Sequence, residues 1–305
     1  MKISITYLFV ILRYGYPHRI EDVFKALPEI RKLGFHYIEM EGLGTTHLRS
    51  MYNSRHRLLK VLNDLGLHVH NFCIVNPKLV SLNPAQRERA LDLFKVGAEL
   101  GNLLGVETLH LASYAPPVHY LNAKPCQLGG EKGYQFVKHT EVRIPKGFDW
   151  ERVWHALVDS CQRCADVSAQ YGKTVIIEPR VGEVICSVDS LLRLIEHVQR
   201  KNFKANFDTG NFSAQRENVP LALAKLRGNF ANIHISDNDP ANSDHLPLGE
   251  GTIDWSEFFR VLKKMNYEGY LGLDLGRSKS MPNDYRKSVA RIMSLASDLG
   301  IPIEI

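Results

Sequence analysis

Hydrophobic and polar positions along this chain fall into two alternating rhythms. Short runs rich in β-branched and aromatic residues read as strands: ISITY, YIEME, VHNFCIV, TLHLAS, TVIIEP, ANFDTG, ANIHISD and YLGLDLG. Between them, apolar residues recur every three or four places and predict amphipathic helices. These are IEDVFKALPEIRKLG, RSMYNSRHRLLKVLNDLG, NPAQRERALDLFKVGAELGNLLG, DWERVWHALVDSCQRCADVSAQYG, VDSLLRLIEHVQRK, PLALAKLRG, DWSEFFRVLKKMN and NDYRKSVARIMSLASDLG. Gly34, Gly66, Gly105, Gly172 and Gly228 follow helical runs, as C-caps do, and Asn83 before Pro84 is an N-cap with proline at the first helical position. Pro28 inside the first helical pattern predicts a kink or a late start.

Eight strand–helix pairs in 305 residues predict an α/β fold, a (β/α)8 TIM barrel. An open doubly wound sheet is the alternative, but no GxGxxG follows the first strand. No Pro/Gly/Ser-rich linker divides the chain, so residues 1–305 read as a single barrel domain. The N-terminal MKISITYLFVILRYGYP has one lysine and no small-residue cleavage site before Arg13. It reads as a first barrel strand running into a loop rather than as a signal peptide.

One connection breaks the rhythm. Residues 116–149 form an insertion after strand four, leaving from the end of the barrel that carries the chemistry. Its Tyr120, Tyr134, Phe136 and Phe148, with the alternating YQFVKHTEVRIP, predict a strand or hairpin in a lid or partner-docking element at the catalytic face.

Composition narrows the class. Hydrophobic residues are 44% and charged residues 23%, the balance of a folded globular chain. No apolar stretch reaches the ~18 residues of a membrane span. A formal charge of +5, without runs of like charge, slightly favours anionic ligands and argues against nucleic acid as a partner. Five scattered cysteines suggest free thiols in a reducing, cytoplasmic setting. Cys161 and Cys164 have CxxC spacing, but they sit in a helical pattern with no second pair and read as helix-face residues.

The strand ends carry the candidate chemistry. Strand five ends at Glu178, strand six reaches Asp208, strand seven carries His234 and Asp237, and strand eight ends at Asp274. Singly, each such residue is more often a cap, an ion-pair partner or a core histidine. Barrel strands point their C-terminal ends at one mouth, where converging carboxylates repel unless a cation lies between them. The set therefore predicts a divalent metal. Three oxygen donors and one imidazole favour Mn²⁺, Mg²⁺ or Co²⁺ over a thiolate-rich zinc site. On strand two, alternation puts Glu39 and Glu41 on one face, and either is a candidate for a sugar hydroxyl or a solvated rim acid. His110 on strand four is a candidate base or substrate ligand, or a buried structural histidine. Tyr7 and Tyr14 are candidates for an aromatic wall, with ordinary packing the commoner role.

IIEPR, NFDTGN, IHISD, HLPLGEGTIDW and GLDLG, in this order and spacing, resemble the xylose isomerase-like TIM-barrel superfamily of sugar-phosphate isomerases and epimerases. The resemblance covers nearly the whole chain. It implies that Glu178, Asp208, His234 and Asp274 are metal ligands, Mn²⁺ first among the candidates. It implies that His245, in the HxPxGxG loop, acts close to substrate or metal, and that Arg180 orients a carboxylate or a substrate oxygen. Two positions depart from the pattern. Many members have glutamate at the end of strand eight, where this chain has Asp274, and many have histidine three residues after the strand-six aspartate. Here that residue is Asn211, carried as a substrate-binding candidate.

The activity so implied is proton abstraction next to a carbonyl of a keto-sugar or oxidised glycoside, with Glu178 as base. Isomerisation or β-elimination is the expected outcome. The elimination would be of the kind catalysed by C-glycoside deglycosidase α-subunits, which work with a small β-subunit. Keto-sugar 3-epimerisation is the alternative, and a nuclease of the AP endonuclease branch or a non-catalytic sugar-binding barrel stand behind it. A homo-oligomer is the other assembly expected.

Overall fold

The computed structural model describes residues 1–122, 140–239, 244–276 and 280–305, with the backbone of 126–128 and 134–136. The eight strand-like runs become eight parallel strands: β1 (Lys2–Ile5), β2 (Tyr37–Leu43), β3 (His68–Val75), β4 (Thr108–Ala112), β5 (Thr174–Glu178), β6 (Phe203–Asp208), β7 (Phe230–Ile235) and β8 (Tyr270–Leu273). They pair in chain order and close where β1 meets β8, Lys2 opposite Tyr270 through Ile5 opposite Leu273. This is the (β/α)8 barrel that the sequence predicts.

Alternation divides each strand between two environments. One set of residues, including Ile3, Ile38, Leu109, Ile177, Phe207, Ile233 and Leu271, packs with the helices in one apolar core. The other set fills the barrel with polar groups: Ser4, Glu39, Glu41, His110, Glu178, Asn206, Asp208, Asn232 and His234 are all buried. The apolar sheath holds the cylinder shut, and the polar interior is free for chemistry.

The helices are α1 (Leu8–Tyr14), α2 (Ile20–Lys32), α3 (Gly44–Asn53), α4 (Arg55–Leu65), α5 (Pro84–Leu104), α6 (Trp150–Ala169), α7 (Val188–Val198), α8 (Thr209–Ala214), α9 (Val219–Leu226), α10 (Trp255–Lys264) and α11 (Met281–Asp298). The Asn83 side chain accepts from Gln86 N and caps α5, as expected. Three expectations are corrected. The segment after β1 is a helix, α1, rather than a loop; Leu8, Phe9, Val10 and Ile11 are all buried, so no polar face marks it as helical. Of the two outcomes expected at Pro28, a kink or a late start, the late start does not occur, since helix α2 runs from Ile20 to Lys32. RSMYNSRHRLLKVLNDLG forms parts of two helices, broken at Ser54. Cys161 and Cys164 are buried on α6, as the helical reading expects.

The insertion has two small sheets of its own. His119–Tyr120 pairs antiparallel with Val142–Arg143, and Cys126–Leu128 with Tyr134–Phe136. The parts of the insertion at 123–125, 129–133 and 137–139, and the side chains of Tyr134 and Phe136, lie outside the described residues. Among the described residues no helix is long and apolar enough to cross a membrane.

Candidate active site

Glu178 ends β5, Asp208 ends β6, His234 lies one residue before the end of β7, and Asp274 directly follows β8. Four consecutive strands thus bring all four residues to one place. His234 Nδ1 stands 2.9 Å from Glu178 Oε2, 3.9 Å from Asp208 Oδ2 and 3.9 Å from Asp274 Oδ1. Asp208 caps the short helix α8 with one oxygen, Oδ1 accepting from Asn211 N at 2.8 Å. Its other oxygen and His234 Nδ1 are buried without a well-formed hydrogen bond. Burial, with Glu178 and Asp274 adding to it, lifts the Asp208 pKa to about 7. A buried lone pair left over on a carboxyl whose pKa its carboxylate neighbours help to raise suits a cation site. Glu178, Asp208 and His234 each offer one ligand atom within 4.8 Å of the others, and so do Asp208, His245 and Asp274. A set of hard oxygens and one imidazole fits a divalent ion.

The remaining candidates gather around this cluster. Arg180 Nε donates to Glu178 Oε1 at 3.0 Å. Burial opposes the Glu178 charge, but Arg180 and His234 outweigh it and hold the carboxyl well below its ordinary range. His245 reaches the cluster from the loop after β7: its Nδ1 lies 3.0 Å from Asp274 Oδ2, and its backbone is left-handed, with φ at 49°. Burial disfavours a charged His245, yet Asp208 and the bond to Asp274 lift its pKa to about 9. Gly210 makes room for this ring, since a Cβ there would lie 2.7 Å from Ser236 Oγ and 3.1 Å from His245 Cε1. Asp274 is tied on both oxygens, because Thr6 Oγ1 donates to Oδ1 at 2.7 Å while His245 holds Oδ2.

His110 Nε2 lies 3.6 Å from Glu178 Oε2, and burial lowers its pKa to about 4, so the ring is neutral. Asn211 is buried with both side-chain polar atoms unpartnered. Glu41 is buried with neither oxygen hydrogen-bonded; burial first, then Asp274 and Glu178, raise its pKa to about 8 against the pull of Arg180. Tyr7 faces His234 edge-on at 6.4 Å, whereas Tyr14 bonds Glu29 among the helices. Asp237 is spent on structure: it accepts from Asn238 N, Gly249 N, Ile253 N and Trp255 Nε1, and so fixes the loop after β7.

Below the mouth lies a second polar tier that the sequence reading left unassembled. Glu39 sits at its centre. Its Oε2 meets His234 Nε2 at 2.9 Å and accepts from Asn71 Nδ2 at 2.9 Å, and its Oε1 accepts from Asn232 Nδ2 at 2.9 Å. Burial opposes this charge too, but His234 outweighs it and brings the Glu39 pKa down to about 2. Two register shifts shape the tier. One places an extra residue in β3 before Asn71, and the other an extra residue in β7 before Asn232.

The L-ribulose-5-phosphate 3-epimerase UlaE of Escherichia coli is 23% identical over 246 residues, which cover 78% of this chain and 77% of that one. The solved structure of a D-tagatose 3-epimerase-like protein superposes with a TM-score of 0.74 at 16% identity, covering 98% of both chains. The 3-keto-D-glucoside 4-epimerase YcjR of E. coli, in its apo form, superposes with a TM-score of 0.72 at 18% identity, covering 96% of this chain and 99% of that one. The family described as Xylose isomerase-like TIM barrel matches residues 27–295, so nearly nine-tenths of the barrel carries its pattern, and the chain belongs to that family.

Proposed function

We propose that the chain is a divalent-metal-dependent epimerase of a keto-sugar or ketose phosphate. Glu178, Asp208, His234 and Asp274 would hold one ion, Mn²⁺ ahead of Mg²⁺ or Co²⁺. The observation that carries this reading is the buried cluster at four consecutive strand ends, with Asp208 Oδ2 and His234 Nδ1 left without well-formed partners. When bound there, such an ion supplies positive charge to the carbonyl oxygen and the neighbouring hydroxyl of the substrate.

The protein's own groups then divide the work. The Glu178 carboxylate takes the proton from the carbon beside the carbonyl; the C–H pair becomes a C=C bond and the carbonyl pair moves onto oxygen. Arg180 keeps this carboxylate ionised and aimed, and His110 and Asn211 offer a neutral imidazole and an amide to substrate hydroxyls. Epimerisation needs a proton returned on the opposite face. Asp274 is one methylene shorter than glutamate and is already held by Thr6 and His245. Glu41 is the better-placed group. In the closed barrel β2 and β8 flank β1, so each is three strands from β5, approached from opposite sides. The Glu41 carboxyl has no hydrogen-bond partner of its own. His245, charged beside Asp274, would bind the substrate oxygen that gains charge.

The relatives above are epimerases by name, which favours rearrangement over β-elimination. The test is to purify the chain without chelator, measure bound metal, and incubate it with ketoses and ketose phosphates in deuterated water. Metal near one equivalent and a deuterated C3 epimer are expected. A released leaving group without epimer would move the chain to the elimination branch, and a metal-free, inert protein would end the reading.

A further inference from the structure

We propose that Glu39 is the positioning anion of this site: one hydrogen-bonded network, centred on its carboxylate, sets both which nitrogen of His234 faces the metal ligands and how the base Glu178 is aimed. The inference rests on the roles given to His234 and Glu178 above, and it adds a residue that touches neither substrate nor ion.

Glu39 Oε2 receives His234 Nε2 at 2.9 Å. An ionised carboxylate can only accept, so that nitrogen carries hydrogen; Nδ1 turns to Glu178, Asp208 and Asp274, and its proton, shared with the Glu178 carboxylate, is the one a metal ion would displace. Glu39 Oε1 accepts from Asn232 Nδ2, whose amide also donates to Asn206 Oδ1 at 3.0 Å. With its oxygen thus used, Asn206 donates through Nδ2 to Glu178 Oε2 at 2.7 Å. Each amide has a single orientation that satisfies the chain, so the direction of every donor traces back to the Glu39 charge.

A third branch runs through β3. Asn71 Nδ2 donates to Glu39 Oε2 and approaches His110 Nδ1 at 3.3 Å, while Asn71 Oδ1 accepts from Thr108 Oγ1 at 2.8 Å. Asn71 is therefore fixed as a donor, His110 Nδ1 as an acceptor, and the His110 hydrogen lies on Nε2, the nitrogen nearest Glu178. Space is cut to fit: a Cβ on Gly272 of β8 would come within 2.9 Å of Glu39 Oε1. A carboxylate with donors from β3 and β7, and a glycine making room on β8, is a built position rather than a leftover core charge.

Glu39→Gln keeps the shape and removes the charge, leaving one amide group turned toward donors. Glu39→Leu removes every acceptor. Outer partners of metal-bound histidines are worth about tenfold to a hundredfold in affinity. Mn²⁺ titrated into metal-free protein should therefore bind the Gln variant about ten to a hundred times more weakly, and the Leu variant more weakly still. In ¹⁵N-labelled protein loaded with diamagnetic Zn²⁺, the native chain should show a slowly exchanging His234 Nε2–H signal, assigned by its absence from His234→Gln. That signal should broaden in Glu39→Gln and vanish in Glu39→Leu. With a ketose or ketose phosphate that the native chain epimerises, kcat should fall while KM moves little. Should the Leu variant not fold, the Gln variant decides alone. Folded variants with Mn²⁺ affinity within twofold of native and an unchanged His234 signal would overturn the inference while leaving the metal reading intact. A native chain that binds no Mn²⁺ would overturn both.

Discussion

Glu39 and Glu41 stand two residues apart on one strand, face the same barrel interior, and live in opposite electrostatic worlds. The deeper acid is met by two amides and an imidazole and has a pKa of about 2; the shallower has no hydrogen bond and a pKa of about 8. Both are buried, so burial does not separate them. Partners do. In the lower tier both Glu39 oxygens are hydrogen-bonded, and Asn232 Oδ1 is left over. In the upper tier Glu41, Asn211 and Asp208 keep unmet polar atoms, as befits groups waiting for something from outside.

The largest effect should come from the group that joins the tiers. Glu178→Gln keeps size and loses the base, so deuterium incorporation and epimer formation should fall by about 10² to 10⁴ or more. Activity within tenfold of native would show that proton removal belongs elsewhere. Asp208→Asn removes a charge from the upper tier only. Metal content by elemental analysis should fall by more than the tenfold to hundredfold of an outer partner, with the circular dichroism spectrum unchanged. Undiminished metal would detach Asp208 from the ion.

The two acids should also respond to pH with opposite sign. The folded-state pKa of Glu41 is raised from 4.5 to about 8, so its contribution is fully present below pH 4.5 and is lost as pH rises through 8. That of Glu39 is lowered to about 2, so its contribution is present above pH 4.5 and is lost as pH falls through 2. In metal-free protein, Glu41→Gln should therefore raise stability above pH 8 by up to about 5 kcal/mol and change little at pH 4, as urea melts at both pH values would show. Stabilisation of equal size at both would mean that packing, not ionisation, distinguishes the pair.

The smallest effect concerns the rim. Tyr120 of the insertion is half-buried, and the charge of Glu183, which follows Arg180 in the β5 loop, adds to burial in raising its pKa. Replacing residues 122–140 with a short turn should leave the melting temperature within a few degrees. Turnover or specificity should drop several-fold if the segment serves as a lid that excludes water. Full activity on the physiological substrate would make the insertion ornamental to the chemistry.

The sequence made the barrel legible because each strand is a short apolar run and most of the helices between them have a clear face. It hid α1, whose first four residues are all buried. It also showed Glu178, Asp208, His234 and Asp274, because strand ends in a barrel converge by topology alone. The lower tier was another matter. Glu39 takes donors from positions 32 and 193 residues away in the chain, so no local pattern brings Asn71 and Asn232 to it, and the extra residues in β3 and β7 set a register that spacing does not reveal. Asp237 shows the converse. It stands among the strand-end acids in the sequence, yet four N–H groups fill it, and only their positions in space reveal that.

Gly272 sets a boundary for anyone redesigning this barrel. Any side chain there meets the Glu39 carboxylate, so the floor of the cavity is cast as one piece and resists gradual alteration. The walls above it are different: replacing Glu41 or Asn211 breaks no side-chain hydrogen bond on which the cylinder depends. New substrate preferences should therefore arise by drift at the rim over an inherited floor, and laboratory evolution of this chain should collect its beneficial substitutions above residue 272's layer and almost none within it.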